Sequence, residues 1–288
     1  MMESIVFLNG FFVELKNARV SILDRGFCYG DGLFETLRAY NGKVFRLDLH
    51  LERLFSSALL IHLDLPVTRR EMGTIVQETL RRNSHSSAMI RLTVTRGESA
   101  SGLQINPAAP PTLVVFIRPL TLLPAHLYLD GVSITLHPSS ACKIIGVPLQ
   151  VKSGNYLSQI LLRKTAETAN SMEAILLDDQ GRVTEGTSAN IFIIHNGILK
   201  TPPLSEHVLP GITRQVVLEI ARMKGVPCQE ESFAPQDIYN ADEVFLTNTG
   251  VEILPVRQAS DIIIGNGKPG RLTRLLHQEF LKIVEQQP

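Results

Sequence analysis

The sequence predicts an α+β protein of two domains, and three observations carry that expectation. Asn-Gly turn signals at 9–10, 41–42 and 196–197 punctuate short apolar strands. Longer stretches between them carry apolar residues at helical spacing. Near the middle of the 288 residues, Arg118 to Pro124 is bounded by Pro119 and Pro124 and reads as a connection between domains. The expected layout is a small α/β domain at 1–118, a linker at 119–126 and a larger domain at 127–288.

The elements follow in order. Ser4 to Leu8 and Phe11 to Leu15 are strands joined at Asn9-Gly10; Phe34 to Tyr40 and Lys43 to Phe45 repeat the pattern around Asn41-Gly42. Leu47, Leu51, Leu54, Ala58 and Ile61 share one face of a helix over 47–63, and 70–82 forms a second amphipathic helix. Met89 to Thr95 and Leu113 to Ile117 are strands, the latter nearly all apolar and therefore buried. Beyond the linker the pattern predicts a strand at 132–136, a helix at 156–170 and strands at 173–178 and 190–195. A strong helix from Ile212 to Lys224 stops at Gly225, whose missing Cβ suits the left-handed turn that ends helices. A strand at 243–246 and a helix over 270–284 close the chain.

Composition excludes several classes. Hydrophobic residues at 44% against 19% charged describe a globular chain, not a disordered one. Lys plus Arg balance Asp plus Glu at 28 each, and the longest basic runs are the pairs Arg69-Arg70 and Arg81-Arg82, so no nucleic-acid partner is expected. Cys28, Cys142 and Cys228 are too widely spaced for a disulfide framework or zinc knuckle, which fits a reducing cytoplasm. The eight histidines include no His-x-x-x-His pair, so no metal is expected. Neither a signal peptide nor an apolar run of bilayer length is evident.

Five short patterns could carry chemistry. Lys152 lies between an apolar stretch and a helix start, in Val151-Lys152-Ser153-Gly154-Asn155-Tyr156-Leu157; burial there would disfavour its ammonium, as an amine nucleophile needs. Lys143 sits in similar apolar company. Gly211-Ile212-Thr213-Arg214 opens a helix whose free N–H groups suit a phosphate. Thr247-Asn248-Thr249-Gly250 follows an apolar strand and can present N–H groups to an anion. Glu185 is a lone carboxylate in Thr184-Glu185-Gly186, and Arg53 projects with His50 from one helix face, where a guanidinium could grip a phosphate. Taken singly, each is more often a surface residue or an ordinary turn.

Their order along the chain is more specific. Arg53, Lys152-x-x-Asn155-Tyr156, Thr184-Glu185-Gly186, Pro210-Gly211-Ile212-Thr213-Arg214 and Thr247-Asn248-Thr249 together resemble the class IV (fold type IV) pyridoxal-5'-phosphate aminotransferases. That family includes branched-chain and D-amino-acid aminotransferases and aminodeoxychorismate lyases. The resemblance runs from Tyr29-Gly30-Asp31-Gly32 to Gly267-Lys268-Pro269-Gly270 and implies the two-domain, D-amino-acid-aminotransferase-like fold. It implies that Lys152 forms the Schiff base with pyridoxal 5'-phosphate and shuttles the proton during transamination. Glu185 would keep the pyridine nitrogen protonated, Tyr156 would bond the phenolic oxygen, and Leu209 would pack under the ring. Arg53, the N–H groups of Ile212 and Thr213, and the Thr249 hydroxyl would hold the phosphate. Tyr29, Phe34, Arg38, Arg91 and Gly250 fall on the substrate side. The family is dimeric, so a homodimer is implied, with residues 97–105 closing the partner's site.

The substrate is less sharply marked. D-specific enzymes carry an Arg-x-His pair after Thr-Arg-Gly, and Thr95-Arg96-Gly97 is followed here by Glu98-Ser99-Ala100-Ser101-Gly102. Branched-chain enzymes show Tyr-x-Arg where this chain has Met89-Ile90-Arg91, so the arginine matches and the tyrosine does not. Phe34-Glu35-Thr36 carries a threonine frequent in the lyases. The leading expectation is transamination of branched-chain or other hydrophobic L-amino acids with a 2-oxo acid such as 2-oxoglutarate. Aminodeoxychorismate lyase and D-amino-acid transaminase are the alternatives. An inactive binding module is disfavoured because no matched catalytic residue is missing.

Overall fold

Alternating burial along the strand Ala88–Thr95 shows how the first layer forms. The computed structural model describes residues 4–99, 102–138, 150–204 and 208–287; Cys142 and Lys143 lie outside them. The chain divides into two units, the first comprising residues up to Thr121 together with Val151–Asn155 and Gln287, the second holding the rest.

The first unit contains β1 (Ile5–Leu8), β2 (Phe11–Glu14), α1 (Arg25–Tyr29), β3 (Gly32–Tyr40), β4 (Lys43–Val44), α2 (Leu47–Leu60), α3 (Arg69–Asn83), β5 (Ala88–Thr95) and β6 (Thr112–Pro119). Its sheet runs β2-β1-β6-β5-β3-β4. Both expected hairpins turn at Asn-Gly pairs with positive φ at each residue, which matches the right-handed twist of the strands. β3 and β5 pair antiparallel from Gly32↔Thr95 to Ala39↔Ala88. Ala88, Ile90, Leu92 and Val94 are buried, whereas Met89, Arg91 and Thr93 between them are only half-buried. Leu51, Leu54 and Ala58 of α2 and Met72, Val76 and Leu80 of α3 supply the opposing apolar stripes. α3 starts where it does because Thr68 and Glu71 form a reciprocal capping box. α1 has no counterpart in the sequence reading; five residues are too few for periodicity, and its marks are the Asp24 cap and Gly30 in the left-handed region.

The proline-bounded linker puts Val151–Asn155 in the expected second domain; by contacts this segment groups with the first unit, because its backbone pairs with the start of β3.

The second unit contains α4 (Ala125–Asp130), β7 (Val132–Pro138), α5 (Leu157–Thr168), β8 (Glu173–Leu177), β9 (Val183–Gly186), β10 (Asn190–His195), β11 (Ile198–Thr201), α6 (Ile212–Met223), β12 (Cys228–Glu230), α7 (Pro235–Tyr239), β13 (Glu243–Asn248), β14 (Glu252–Ala259), β15 (Ile262–Ile263) and α8 (Arg271–Glu285). Among the described residues its sheet runs β12-β11-β10-β13-β14-β7-β8-β9, with β15 on β14. The pairs β7–β8, β7–β14 and β11–β12 are parallel and the others antiparallel. Ile134, Ile175, Ile191, Leu246 and Leu254 form the core of this sheet, and Phe192 stacks on Phe245 with centroids 4.9 Å apart. The chain enters this unit at Leu122 and is helical from Ala125, inside the expected linker, because Leu127 and Tyr128 pack on the core. α6 ends at Met223, with Gly225 at φ +66° as anticipated.

Candidate active site

In the first unit, Lys152 is fixed through its backbone. Its carbonyl accepts from Phe34 N–H (3.0 Å), Gly154 N–H donates to Gly32 O (3.0 Å), and Asn155 Nδ2 donates to Gly30 O (3.3 Å). The Lys152 Nζ sits 4.7 Å from the centroid of the buried Phe34 ring, and Arg91 Cζ lies 3.3 Å from the same centroid. The resemblance places Lys152, Phe34 and Arg91 in one site, and this unit brings all three together. Arg91 Nε also donates to Thr93 Oγ1 (3.3 Å). Arg38 is buried with Cζ 4.3 Å over the Tyr40 ring, while Tyr29 is exposed beside Arg25.

Arg53 and His50 do project together, and they meet a carboxylate that sequence reasoning overlooked. Glu35 is fully buried on the helix-facing side of β3. Its Oε1 accepts from Arg53 Nε (2.7 Å), and its Oε2 accepts from Arg53 Nη2 (2.7 Å) and bonds His50 Nδ1 (2.8 Å). Burial works to raise the Glu35 pKa, but Arg53 and the His50 hydrogen bond outweigh it and push it down to about 2. Burial lowers the His50 pKa, against the pull of Glu35. The one sequence-level sign was a charge at an apolar position, Leu33-x-Glu35-x-Leu37.

A pH dependence follows. A depressed carboxyl contributes stability that is present above its unfolded pKa of 4.5 and is lost as pH falls towards about 2. His50 adds in the same direction, since the unfolded chain takes up its proton first as pH falls through 6.5. Glu35→Gln strands the Arg53 charge and is expected to cost about 3–5 kcal/mol at pH 7. It is also expected to flatten the acid limb of stability. Urea unfolding of both proteins from pH 7 to 3 checks this, and parallel limbs would refute the ionised pair.

The stretch expected to close a partner's site, 97–105, includes Ala100 and Ser101 outside the described residues. Its later part is tied to Arg25, whose Nη1 donates to Gly102 O (2.6 Å) and Gln104 O (3.3 Å). Arg25 and Arg96 share Asp31, and Arg96 further donates to the carbonyls of Ile61 and His62.

In the second unit Glu185, at the end of β9, meets Leu209, which precedes α6. Glu185 Oε2 accepts from Asn190 Nδ2 (3.1 Å) and from Leu209 N–H (3.0 Å), and Asn190 Nδ2 also reaches Leu209 O (3.0 Å). Asn190 was missed because an asparagine ahead of an apolar strand looks like a turn residue. Ile212 and Thr213 open α6, whose cap Gly211 supplies no side-chain acceptor. A Cβ at Gly211 would lie 1.9 Å from Asn190 Oδ1, so only glycine lets that helix start approach the asparagine. Thr249 and Gly250 form the β13–β14 turn. The Gly250 N–H assigned to a substrate carboxylate already donates to Asn248 Oδ1 (2.8 Å), as does that of Val251 (2.8 Å). Tyr156, half-buried, is the N-cap residue of α5.

The sequence profile of amino-transferase class IV matches residues 32–259. The chain belongs to that family. It is 42% identical over 96% of both chains to a Methanocaldococcus jannaschii protein provisionally named a branched-chain-amino-acid aminotransferase. It is 34% identical over 93% of both chains to the D-alanine aminotransferase of Bacillus licheniformis. The solved branched-chain amino acid aminotransferase of Escherichia coli superposes with a TM-score of 0.93 at 29% identity, covering 98% of this chain and 95% of that one.

As a class IV aminotransferase the protein uses pyridoxal 5'-phosphate, and its own residues fit that group. The uncapped α6 N-terminus behind Gly211 suits a phosphate. The Thr247 hydroxyl is buried with no hydrogen-bond partner among the described residues, so a polar group is wanted there. Glu185, oriented by two donors, suits a protonated pyridine nitrogen. No group of metal-ligating side chains occurs among the described residues, and no helix among them is long and apolar enough to cross a membrane.

Proposed function

We propose that this aminotransferase moves the amino group of branched-chain and other hydrophobic L-amino acids to a 2-oxo acid such as 2-oxoglutarate. The support is the 42% identity to the Methanocaldococcus jannaschii relative, together with the aromatic ring of Phe34 that Lys152 Nζ and Arg91 share. D-amino acids form the second reading, on the strength of the D-alanine aminotransferase relative. Against it stands the segment after Gly97, which lacks the Arg-x-His pair.

The cofactor, when bound, supplies a carbonyl that exchanges amino groups and a ring that accepts electron density. The chain's residues do the remainder. Lys152 would anchor the cofactor through Nζ and carry the proton removed from the substrate Cα. Glu185 would hold a proton at the pyridine nitrogen, and Tyr156 would serve the phenolic oxygen. Leu209 would pack against the ring. Arg53, Ile212 N–H, Thr213 N–H and the Thr249 hydroxyl would hold the phosphate, with Glu35 orienting Arg53. Tyr29, Phe34, Arg38, Arg91 and Gly250 line the substrate side. The N–H of Gly250 serves a carboxylate only by exchanging its bond to Asn248.

The working form in this reading is a cytoplasmic homodimer. The dimer is supported by exposed apolar surface, with Ile22, Phe27 and Leu103 in the first unit and Leu157, Ile160 and Leu161 on α5, and the compartment by the widely spaced cysteines. A panel of L- and D-amino donors with 2-oxoglutarate or pyruvate tests the activity. Fastest turnover with L-leucine, L-isoleucine or L-valine is expected; a preference for D-alanine would replace this reading with the second. Arg53→Ala is expected to weaken cofactor retention by about 1.5–3 kcal/mol, the scale of hydrogen bonds to charged groups. Equilibrium dialysis of the cofactor checks it, and unchanged affinity would remove Arg53 from the phosphate.

A further inference from the structure

Glu173, at the start of β8, is 2% exposed. An ionised carboxylate buried to that degree costs several kcal/mol unless it is richly hydrogen-bonded. Its Oε1 accepts from Ala174 N–H (3.0 Å), Thr187 N–H (3.1 Å) and the Thr187 hydroxyl. Its Oε2 accepts from the Ser188 hydroxyl (2.9 Å) and Arg163 Nη1 (3.1 Å). Three of these donors belong to one turn, the residues between β9 and β10. Gly186 makes the approach possible, since a Cβ there would lie 2.9 Å from Glu173 Cγ.

That turn has Glu185 just before it and Asn190 just after it, the two ends of the hydrogen bond that sets the Glu185 carboxylate. Ser188 O also accepts from Asn248 Nδ2 (3.1 Å), and Asn248 Oδ1 in turn orders the N–H groups of Gly250 and Val251. One buried carboxylate thus stands behind the turn that follows Glu185 and, through Ser188 and Asn248, the turn that carries Thr249 and Gly250. We infer that Glu173 is a positioning residue: acting through Thr187 and Ser188, it sets the Glu185 carboxylate in register with the pyridine nitrogen. The inference rests on the proposed role of Glu185. A site held by bonded supports keeps its geometry to fractions of an ångström, and misplacement by about 1 Å can cost two orders of magnitude in rate.

The test uses four holoenzymes: wild type, Glu173→Gln, Thr187→Val and Glu185→Gln, each loaded with cofactor carrying ¹⁵N in its ring. The ¹⁵N resonance reports protonation of that nitrogen, which a merely structural role of Glu173 would not move. Cofactor affinity, thermal midpoint, kcat and KM are measured alongside. In Glu173→Gln the resonance is expected to move towards the unprotonated position, in the direction taken by Glu185→Gln. Its kcat is expected to fall about tenfold or more with KM within about twofold. Thr187→Val is expected to shift the resonance the same way by less. A wild-type resonance in Glu173→Gln, with Glu185→Gln shifted, overturns this inference and leaves the Glu185 role standing. An unshifted Glu185→Gln overturns that role and this inference with it. Should Glu173→Gln fail to fold, Thr187→Val decides, and an unmoved resonance there overturns the inference.

Discussion

Lys152→Ala is expected to lower turnover by about 10³-fold or more and to abolish the borohydride-reducible link to pyridoxal 5'-phosphate. A positioned base alone contributes about 10²–10⁴-fold, and loss of the covalent anchor adds to that. The fold should survive. The contacts that place this segment are made by the Lys152 carbonyl, Gly154 N–H and the Asn155 side chain, none of which the substitution removes. Phe34 keeps Arg91 over its ring. Loss of activity with an unchanged thermal midpoint therefore separates chemistry from stability. Peptide mapping of the reduced wild-type protein provides the second check, and a label on Lys143 would overturn the assignment.

Glu185→Gln is expected to bind cofactor through Lys152 yet to slow the half-reaction with an amino donor by at least about 100-fold, as when one preorganised electrostatic group is lost. The glutamine preserves size and can keep the contacts to Asn190 and Leu209 N–H through its carbonyl oxygen. What disappears is the charge. A carboxylate holds a proton on the pyridine nitrogen because the ion pair is favoured where water is scarce. Its advantage grows as electron density flows into the ring, so the substitution lowers the rate more than the binding. Single-turnover conversion to the pyridoxamine form, at matched cofactor occupancy, measures the effect. Equal rates in the two proteins would detach Glu185 from the ring.

The long periodic elements were legible in the sequence. α2, α3, α6 and α8 follow from apolar spacing, and the hairpins at Asn9 and Asn41 from turn chemistry. The short strands β9, β11, β12 and β15 were not, because their pairing partners, rather than their own residues, make them strands; β14 is long but its apolar run is interrupted by Pro255. The site divides in the same way. Lys152, Glu185 and Ile212-Thr213 lie at positions that a linear motif marks. Glu35, Glu173 and Asn190 do not, since each acquires meaning only through its hydrogen-bond partners in the fold, Arg53 for Glu35, Ser188 for Glu173 and the acceptors Glu185 and Leu209 O for Asn190. A lone acidic residue in an apolar strand signals that partners exist and leaves their identity to the tertiary fold.

The pairing of Val151–Asn155 with β3 bears on how the protein is made. Asn155 and Gly30, which bond each other, are 125 residues apart. During synthesis the first unit therefore waits for a segment that emerges long after its own six strands. Until then the backbone of Gly32 and Phe34 is an open edge, the kind of surface that recruits stray strands. A fragment ended at Thr121 would carry that edge permanently, and Lys152, the proposed Schiff-base lysine, lies in the very segment that closes it.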